Sequence, residues 1–283
     1  MKLKFQTILL SFAIIAILPG CKKDDTTSNP STEIETTFEL SRSGAIADNF
    51  TEDAYDLLTE AVVDNELMGA RVQGPASTLN NLSCAAVTVT PLQGFPKTIL
   101  IDFGSGCTSA NGVFRSGKIT VVLSDSLRHP GSTSVMTFDN YFVNGFKKEG
   151  TVTWTNTSTP TERSWDRVVT NGKITEPGGN FWLHSGTRHV VHTVGFNTPL
   201  NLHDDEFLIT GNSTVTNAAG RTRTNTIQDP LHKRAACENI DRGSVRIDGP
   251  NHFAILDFGN GGCDRMATIS INGNPPRTIM LRP

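Results

Sequence analysis

Two short segments gather side chains that could do metal or acid–base chemistry. HSGTRHVVH places His184, His189 and His192 within one short run, and HDDE sets His203, Asp204, Asp205 and Glu206 side by side. Imidazoles suit Zn²⁺ and carboxylates suit Ca²⁺, so spacing decides what either set can hold. The residues around the three histidines read as a β-strand, where only positions an even number apart share a face. His189 therefore points away from the other two. His184 and His192 share a face but stand about 26 Å apart along an extended chain, too far for one ion. HDDE reads as a solvated acidic turn leading into a strand that begins at Phe207, with Ca²⁺ on Asp204 and Glu206 as the functional alternative. No metal or other cofactor is expected.

Other catalytic patterns are missing. The chain has no G-x-S-x-G and no H-E-x-x-H, and its acids and histidines are otherwise scattered. Asp-Phe-Gly occurs twice, at Asp102–Gly104 and Asp257–Gly259, but no Gly-rich phosphate loop or H-R-D sequence accompanies it. A non-enzymatic role is expected, with a hydrolase on a β scaffold as a lesser alternative. Trp154, Trp165 and Trp182 could offer flat faces to a sugar ring. Trp154 shares its strand parity with Val152 and reads as core. Trp182 is opposite in parity to Phe181 and Leu183, which makes it the candidate for glycan stacking.

The repeated tripeptide belongs to a longer repeat, ILIDFGSGC ending at Cys107 and AILDFGNGGC ending at Cys263. Four cysteines, Cys84, Cys107, Cys237 and Cys263, follow the one at position 21, and four allow three pairings. The midpoint of Cys84 and Cys107 falls at Phe95-Pro96 within LQGFP. That of Cys237 and Cys263 falls at Pro250 within DGPNH. Each pair is symmetric about a turn-forming cluster, as expected for two residues meeting across a hairpin. Cys84–Cys107 and Cys237–Cys263 are the expected disulfides. The D-F-G units then end a buried strand and turn it, through glycine, into the bonded cysteine.

These residues need a scaffold, and the sequence describes one. Phe50, Ala54, Leu57, Leu58, Ala61 and Val62 form a helical stripe, predicting a helix over about 50–68 with Asn49 as its cap and Gly69 at its end. From Val87 onward, alternating runs follow one another. Asn-Gly pairs at Asn111, Asn144, Asn171, Asn260 and Asn272 sit beside such runs and signal hairpins. The expected fold is mainly β, a large antiparallel sheet forming a sandwich or open barrel-like structure with one N-terminal amphipathic helix. With 25 basic and 28 acidic residues and no basic run, nucleic acid is not an expected partner.

The N-terminus indicates export. Lys2 and Lys4 precede an apolar core, Ile8–Leu18, that is too short to span a bilayer, so residues 1–20 read as a signal peptide. Leu18-Pro19-Gly20-Cys21 resembles the lipobox of bacterial lipoproteins, with Pro19 where a smaller residue is commoner. The resemblance implies that Cys21 carries the lipid and anchors the chain to a membrane. Residues 21–37 then form the lipidated cysteine and a flexible tether, and 38–283 the β-rich domain. Lys22-Lys23-Asp24-Asp25 resembles the export signal of Bacteroidota surface lipoproteins. The whole layout is similar to uncharacterised lipoproteins of that group, a likeness that implies the outer membrane with surface exposure, a periplasmic face being the alternative. The implied role is a binding or structural module for a glycan or protein ligand, or alternatively a carrier of a small apolar ligand in a β cavity. Growth with labelled palmitate is expected to label the full chain, and Cys21→Ala is expected to abolish the label.

Overall fold

A helix surrounded on all sides needs no apolar stripe, and this is why the helix here extends well beyond the stripe in its sequence. The computed structural model describes residues 30–67 and 76–281. The signal segment, Cys21, residues 22–29 and Gly69 lie outside them. Helix α1 runs Pro30–Asp64, roughly 52 Å at 1.5 Å per residue. It therefore begins some twenty residues before the predicted start, and residues 30–37, expected in the tether, are helical. From Leu40 to Val63 nearly every residue is buried or close to it. The N-terminal half is rich in Ser and Thr, poor helix formers whose side chains compete for the backbone. In place they bond back one turn: Thr36 Oγ1 donates to the Thr32 carbonyl (2.9 Å), Ser41 Oγ to Thr37 (2.6 Å) and Thr51 Oγ1 to Ala47 (2.8 Å). Asn49, expected as the cap, lies mid-helix and donates to the Ala45 carbonyl (2.9 Å) while its Oδ1 accepts from the Ile240 N–H (2.9 Å). The helix closes with Glu66 in the left-handed region (φ 56°) and Leu67 N–H donating to the Val62 carbonyl (2.8 Å), a Schellman ending in advance of Gly69.

Fourteen strands form one antiparallel sheet. They are β1 (Ala86–Thr90), β2 (Lys97–Asp102), β3 (Cys107–Thr108), β4 (Phe114–Leu123), β5 (Thr133–Val143), β6 (Phe146–Asn156) and β7 (Arg163–Thr175) in the first half. The second half holds β8 (Phe181–Val194), β9 (Glu206–Asn217), β10 (Thr222–Arg234), β11 (Arg242–Asp248), β12 (Phe253–Asn260), β13 (Met266–Ile271) and β14 (Arg277–Met280). Each strand pairs with the next in the chain, except that β2 pairs with β4 and the short β3 extends β4's edge. β1 and β14 do not pair with each other, so the sheet stays open. Between the predicted alternatives of sandwich and open barrel-like sheet, the open sheet is the one found. Asn144-Gly145 and Asn272-Gly273, both at positive φ, make tight hairpin turns as expected. Asn171-Gly172 does not: it is a bulge inside β7, where the β7–β8 register shifts between Val169 and Gly172. A side chain at Gly172 would meet the His184 ring at 2.6 Å. Further register shifts in β4, β5 and β6 bend these strands, and bulges of this kind curve a sheet.

The curved sheet wraps α1, and charge fixes the contact. Arg115 of β4 grips Asp53 through two bonds (Nη2–Oδ1 2.6 Å, Nε–Oδ2 3.3 Å). Arg167 of β7 bonds Glu52, Arg188 of β8 reaches Asp48 (3.1 Å), and Lys233 of β10 meets Asp56 (3.0 Å). Arg223, also of β10, holds Glu33 (2.6 Å), and Glu60 accepts the N–H groups of Asn81 and Leu82 (3.0 and 3.2 Å). Burial is severe enough to push Asp56 up to about 7 even beside Lys233. Aromatic packing fills the gaps, with Tyr55 stacked on Trp154 at 4.8 Å and Phe50 edge-on to Phe146 at 6.0 Å.

Both expected disulfides form, Cys84–Cys107 with Cα atoms 6.0 Å apart and Cys237–Cys263 at 5.4 Å. In each D-F-G unit the aspartate Oδ1 accepts the N–H two residues on, Gly104 from Asp102 and Gly259 from Asp257, both at 2.8 Å. Phe103 and Phe258 are buried to the same extent. The repeat is one local motif used twice, an aspartate accepting from a glycine at positive φ beside a buried phenylalanine, but the first copy turns the chain after β2 whereas the second is a bulge inside the end of β12.

Arg115→Met is expected to cost about 3–5 kcal/mol, because Asp53 then stays buried without its arginine. Adding Asp53→Leu is expected to recover most of that loss. Denaturant unfolding of the two variants checks this.

Candidate functional site

The segments singled out by type and spacing do not form a metal site. His184 faces inward and is buried, whereas His189 faces outward and pairs with Asp166 at 2.8 Å, the opposed orientation that parity predicts. In HDDE the four side chains take four different partners. His203 Nε2 meets the Thr78 carbonyl (2.9 Å), Asp204 accepts from Thr198 Oγ1 (2.9 Å), Asp205 pairs with His192 (2.9 Å) and Glu206 with His232 (3.1 Å). Among the described residues no three His, Cys, Asp or Glu side chains gather as a cation cage. Trp182 is 2% exposed, so its face is not available to a sugar. The inward parity of β8 belongs to Trp182, His184, Arg188 and Val190, and it is Leu183, 45% exposed, that meets solvent.

What the fold does build is a small cleft of about 40 Å³ at one end of the sheet. It opens where β7 begins, β8 ends and β9 begins, between the loops that join β4 to β5 and β8 to β9. Its wall is aromatic. His192 stacks on Phe207 at 4.7 Å, Tyr55 of α1 meets Phe207 and Trp165 edge-on at 6.1 Å each, and Phe196 closes over His192 at 6.3 Å. The Trp165 indole N–H is buried without a partner. Tryptophan N–H groups usually find an acceptor when buried, so the wall holds a spare donor. Shallower space continues outward past Thr159–Arg163.

The mouth of this cleft is positive. Arg128 and Arg163 both line it and both are partly buried. Arg128 donates to the Phe196 carbonyl at 3.4 Å. Its guanidinium is held below its ordinary range by burial and then by the charge of Arg163, with Asp205 acting the other way. Arg163 has no hydrogen bond or ion pair among the described residues. Burial raises the Asp205 carboxyl, while its bond to His192 opposes the rise. Thr59, the hydroxyl in the wall, donates to the carbonyls of Tyr55 and Asp56 (3.2 and 3.0 Å) and makes no contact with His192. The arrangement can hold a ring against aromatic faces and an anionic group against arginine. It does not present an activated nucleophile.

Sequence reasoning missed this site because its residues come from segments between positions 55 and 207. One signal was available: Arg163, Trp165 and Arg167 share strand parity, so a tryptophan on the core face is flanked by arginines. No protein-family model matches the chain, and no curated protein or solved structure matches it either.

Gly195 holds the cleft's floor in shape. It sits at φ +89°, and a Cβ there would collide with Asp205 Oδ1, the oxygen bonded to His192. Gly195→Ala is expected to break the His192–Asp205 pair and cost about 1–3 kcal/mol, read by thermal unfolding and by the His192 ring resonances in NMR.

Proposed function

We infer that this protein is an envelope lipoprotein, anchored through Cys21, whose cleft binds a small ring-bearing carboxylate. The anchoring rests on the lipobox resemblance of Leu18–Cys21 and the outer-membrane, surface-exposed location on the motif that follows it. The binding role rests on one observation above all: Arg163 stands unpaired beside Arg128 at the mouth of an aromatic cleft. Asp205, the acid of the cleft, is bonded to His192, and two neighbouring arginines without a bonded acid of their own favour an anion in that place. The groove of about 650 Å³ that adjoins the cleft and shares Arg128, Arg163 and His192 with it has the volume of a small-molecule site, and a carboxylate meets arginine in a two-pronged bond.

The alternatives fare less well against the same geometry. A carrier with its ligand inside the sheet needs a hollow interior, and α1 occupies the concave face. A hydrolase needs a nucleophile near His192, and Thr59 spends its hydroxyl on backbone carbonyls. A neutral glycan would leave the arginines without a partner, whereas an acidic sugar satisfies both the rings and the charge.

Phenylacetate and glucuronate are the probes that separate an aromatic from a sugar ligand, with phenylacetamide as the uncharged control. Titration calorimetry with tryptophan fluorescence is expected to show binding of at least one acid and none of the amide. Arg163→Gln is expected to weaken binding about 10- to 100-fold, the worth of a lost charged hydrogen bond of about 1.5–3 kcal/mol. Equal affinity for acid and amide would overturn the reading.

A further inference from the structure

A second cavity, of about 20 Å³, lies between α1 and the strands β7 to β9 and shares no lining residue with the mouth cleft. It is lined by Asp48 and Thr51 from the helix and by Arg167, His184, Arg188 and Ser213 from the sheet. Its donors outnumber its acceptors. Arg188 Nη2 serves both the Asp48 carboxylate (3.1 Å) and Ser213 Oγ (2.9 Å), yet Arg188 Nη1 is buried with no partner. Arg167 spends Nη1 on Glu52, and its Nε is equally unpartnered. The His184 Nε2 is a third orphan.

The charges are unequal too. Lys148, fully buried, has no carboxylate in ion-pair range among the described residues: its Nζ bonds Thr51 Oγ1 at 3.1 Å and lies over the Phe138 ring at 5.1 Å. Burial, and then the charge of Arg167, push it down to about 7. Arg167, Arg188 and Lys148 share Asp48 and Glu52, while Asp53, which also acts on Lys148, is held by Arg115. Three basic side chains thus face two carboxylates in a largely buried region. Buried charges left in this state are costly and are ordinarily balanced by a partner.

We propose that this cavity is a site for a single small inorganic anion of halide size, held by Arg188 and Arg167 with Thr51 and Ser213 beside it. The space left among these side chains admits little more than one water-sized body, which excludes phosphate and organic acids. Asp48 is the one carboxylate in the lining and is the group an anion must tolerate. It does so because Arg188 and Arg167 both lie against it, at 3.1 and 4.0 Å. The site is independent of the mouth cleft, so the failure of either reading leaves the other intact.

The test uses bromide as the probe. Crystals of the protein grown or soaked in sodium bromide are expected to show one anomalous peak within reach of Arg188 Nη1. In solution, thermal unfolding is expected to rise on the order of 5 °C between 1 and 100 mM bromide or chloride. Sodium gluconate at equal ionic strength is expected to give no such rise. Asp48→Asn removes the competing charge while keeping a hydrogen-bonding group, and is expected to strengthen the halide dependence severalfold. A cavity holding only water, a gluconate curve that matches chloride, or an Asp48→Asn protein with unchanged halide response would each overturn the proposal.

Discussion

The pairing of helix carboxylates with strand cations is the constraint on which the rest of the structure depends. Asp48, Glu52, Asp56 and Glu60 recur every four residues along α1, a spacing that sets like charges one turn apart and disfavours an isolated helix. Removing water from them makes the problem worse, as the raised Asp56 shows. Arginines and lysines from β4, β7, β8 and β10 relieve both costs at once. A buried ion pair adds little net stability compared with apolar packing, but breaking one is expensive. The consequence here is positional: sliding α1 by one residue turns its side chains by about 100° and strands every carboxylate. The helix and the sheet therefore specify each other.

A sheet wrapped around a helix must curve without closing, and the chain handles its two ends in the same way. The bulges of β4 to β7 bend the long central strands, where the sheet carries most of its inward-facing charge. Near the margins the strands are shorter, and there the two cystines sit. Cys84–Cys107 ties the segment before β1 to the chain just past β2, and Cys237–Cys263 ties the β10–β11 loop to the β12–β13 loop. The duplicated D-F-G motif seats a buried phenylalanine beside each bond. An exposed sheet edge is prone to pairing with other chains, and β1 and β14 keep such edges short, at five and four residues.

Much of this was legible in the sequence, for physical reasons that can be named. The cysteine pairing followed from symmetry about two turns, and the strands from alternation, because a sheet with one wet face records its orientation every second residue. The first half of α1 was not legible. A helix buried all round carries no stripe, and its Thr, Ser and Gly positions look like a linker until their back-bonds and the narrow space around Gly44 are seen. Gly44 shows that space, since a Cβ there would lie 2.7 Å from the Asn225 side chain. Trp182 misled because Phe181 and Leu183 set the apparent core face by hydrophobicity alone. The counter-evidence was charge: Arg188 shares Trp182's parity, and an arginine on a core face implies a buried acid elsewhere. Parity of basic residues is thus the signal that pointed to the helix. The Asn171-Gly172 pair failed as a hairpin signal because glycine was needed there for another reason, the His184 ring lying against it.

The place of the cleft follows from the same economy of charge. Along the middle of the molecule most cations facing the helix have an acid to meet, and the aromatic rings pack against α1. Toward the end where β7 begins and β8 finishes, the acids are already engaged: Glu52 by Arg167, Asp56 by Lys233 and Asp205 by His192, while Glu60 is turned toward the backbone of Asn81 and Leu82. Arg163 lies two residues outside Trp165 on the same strand face and finds no carboxylate within reach. Arg128, brought in by the β4–β5 loop, finds only a carbonyl. Tyr55 is the last large helix side chain before the mouth, and the rings around it leave a gap that the loops do not fill. At that end rings and charge remain unspent together beside an opening to solvent, and that is where a ligand from outside can complete the pattern.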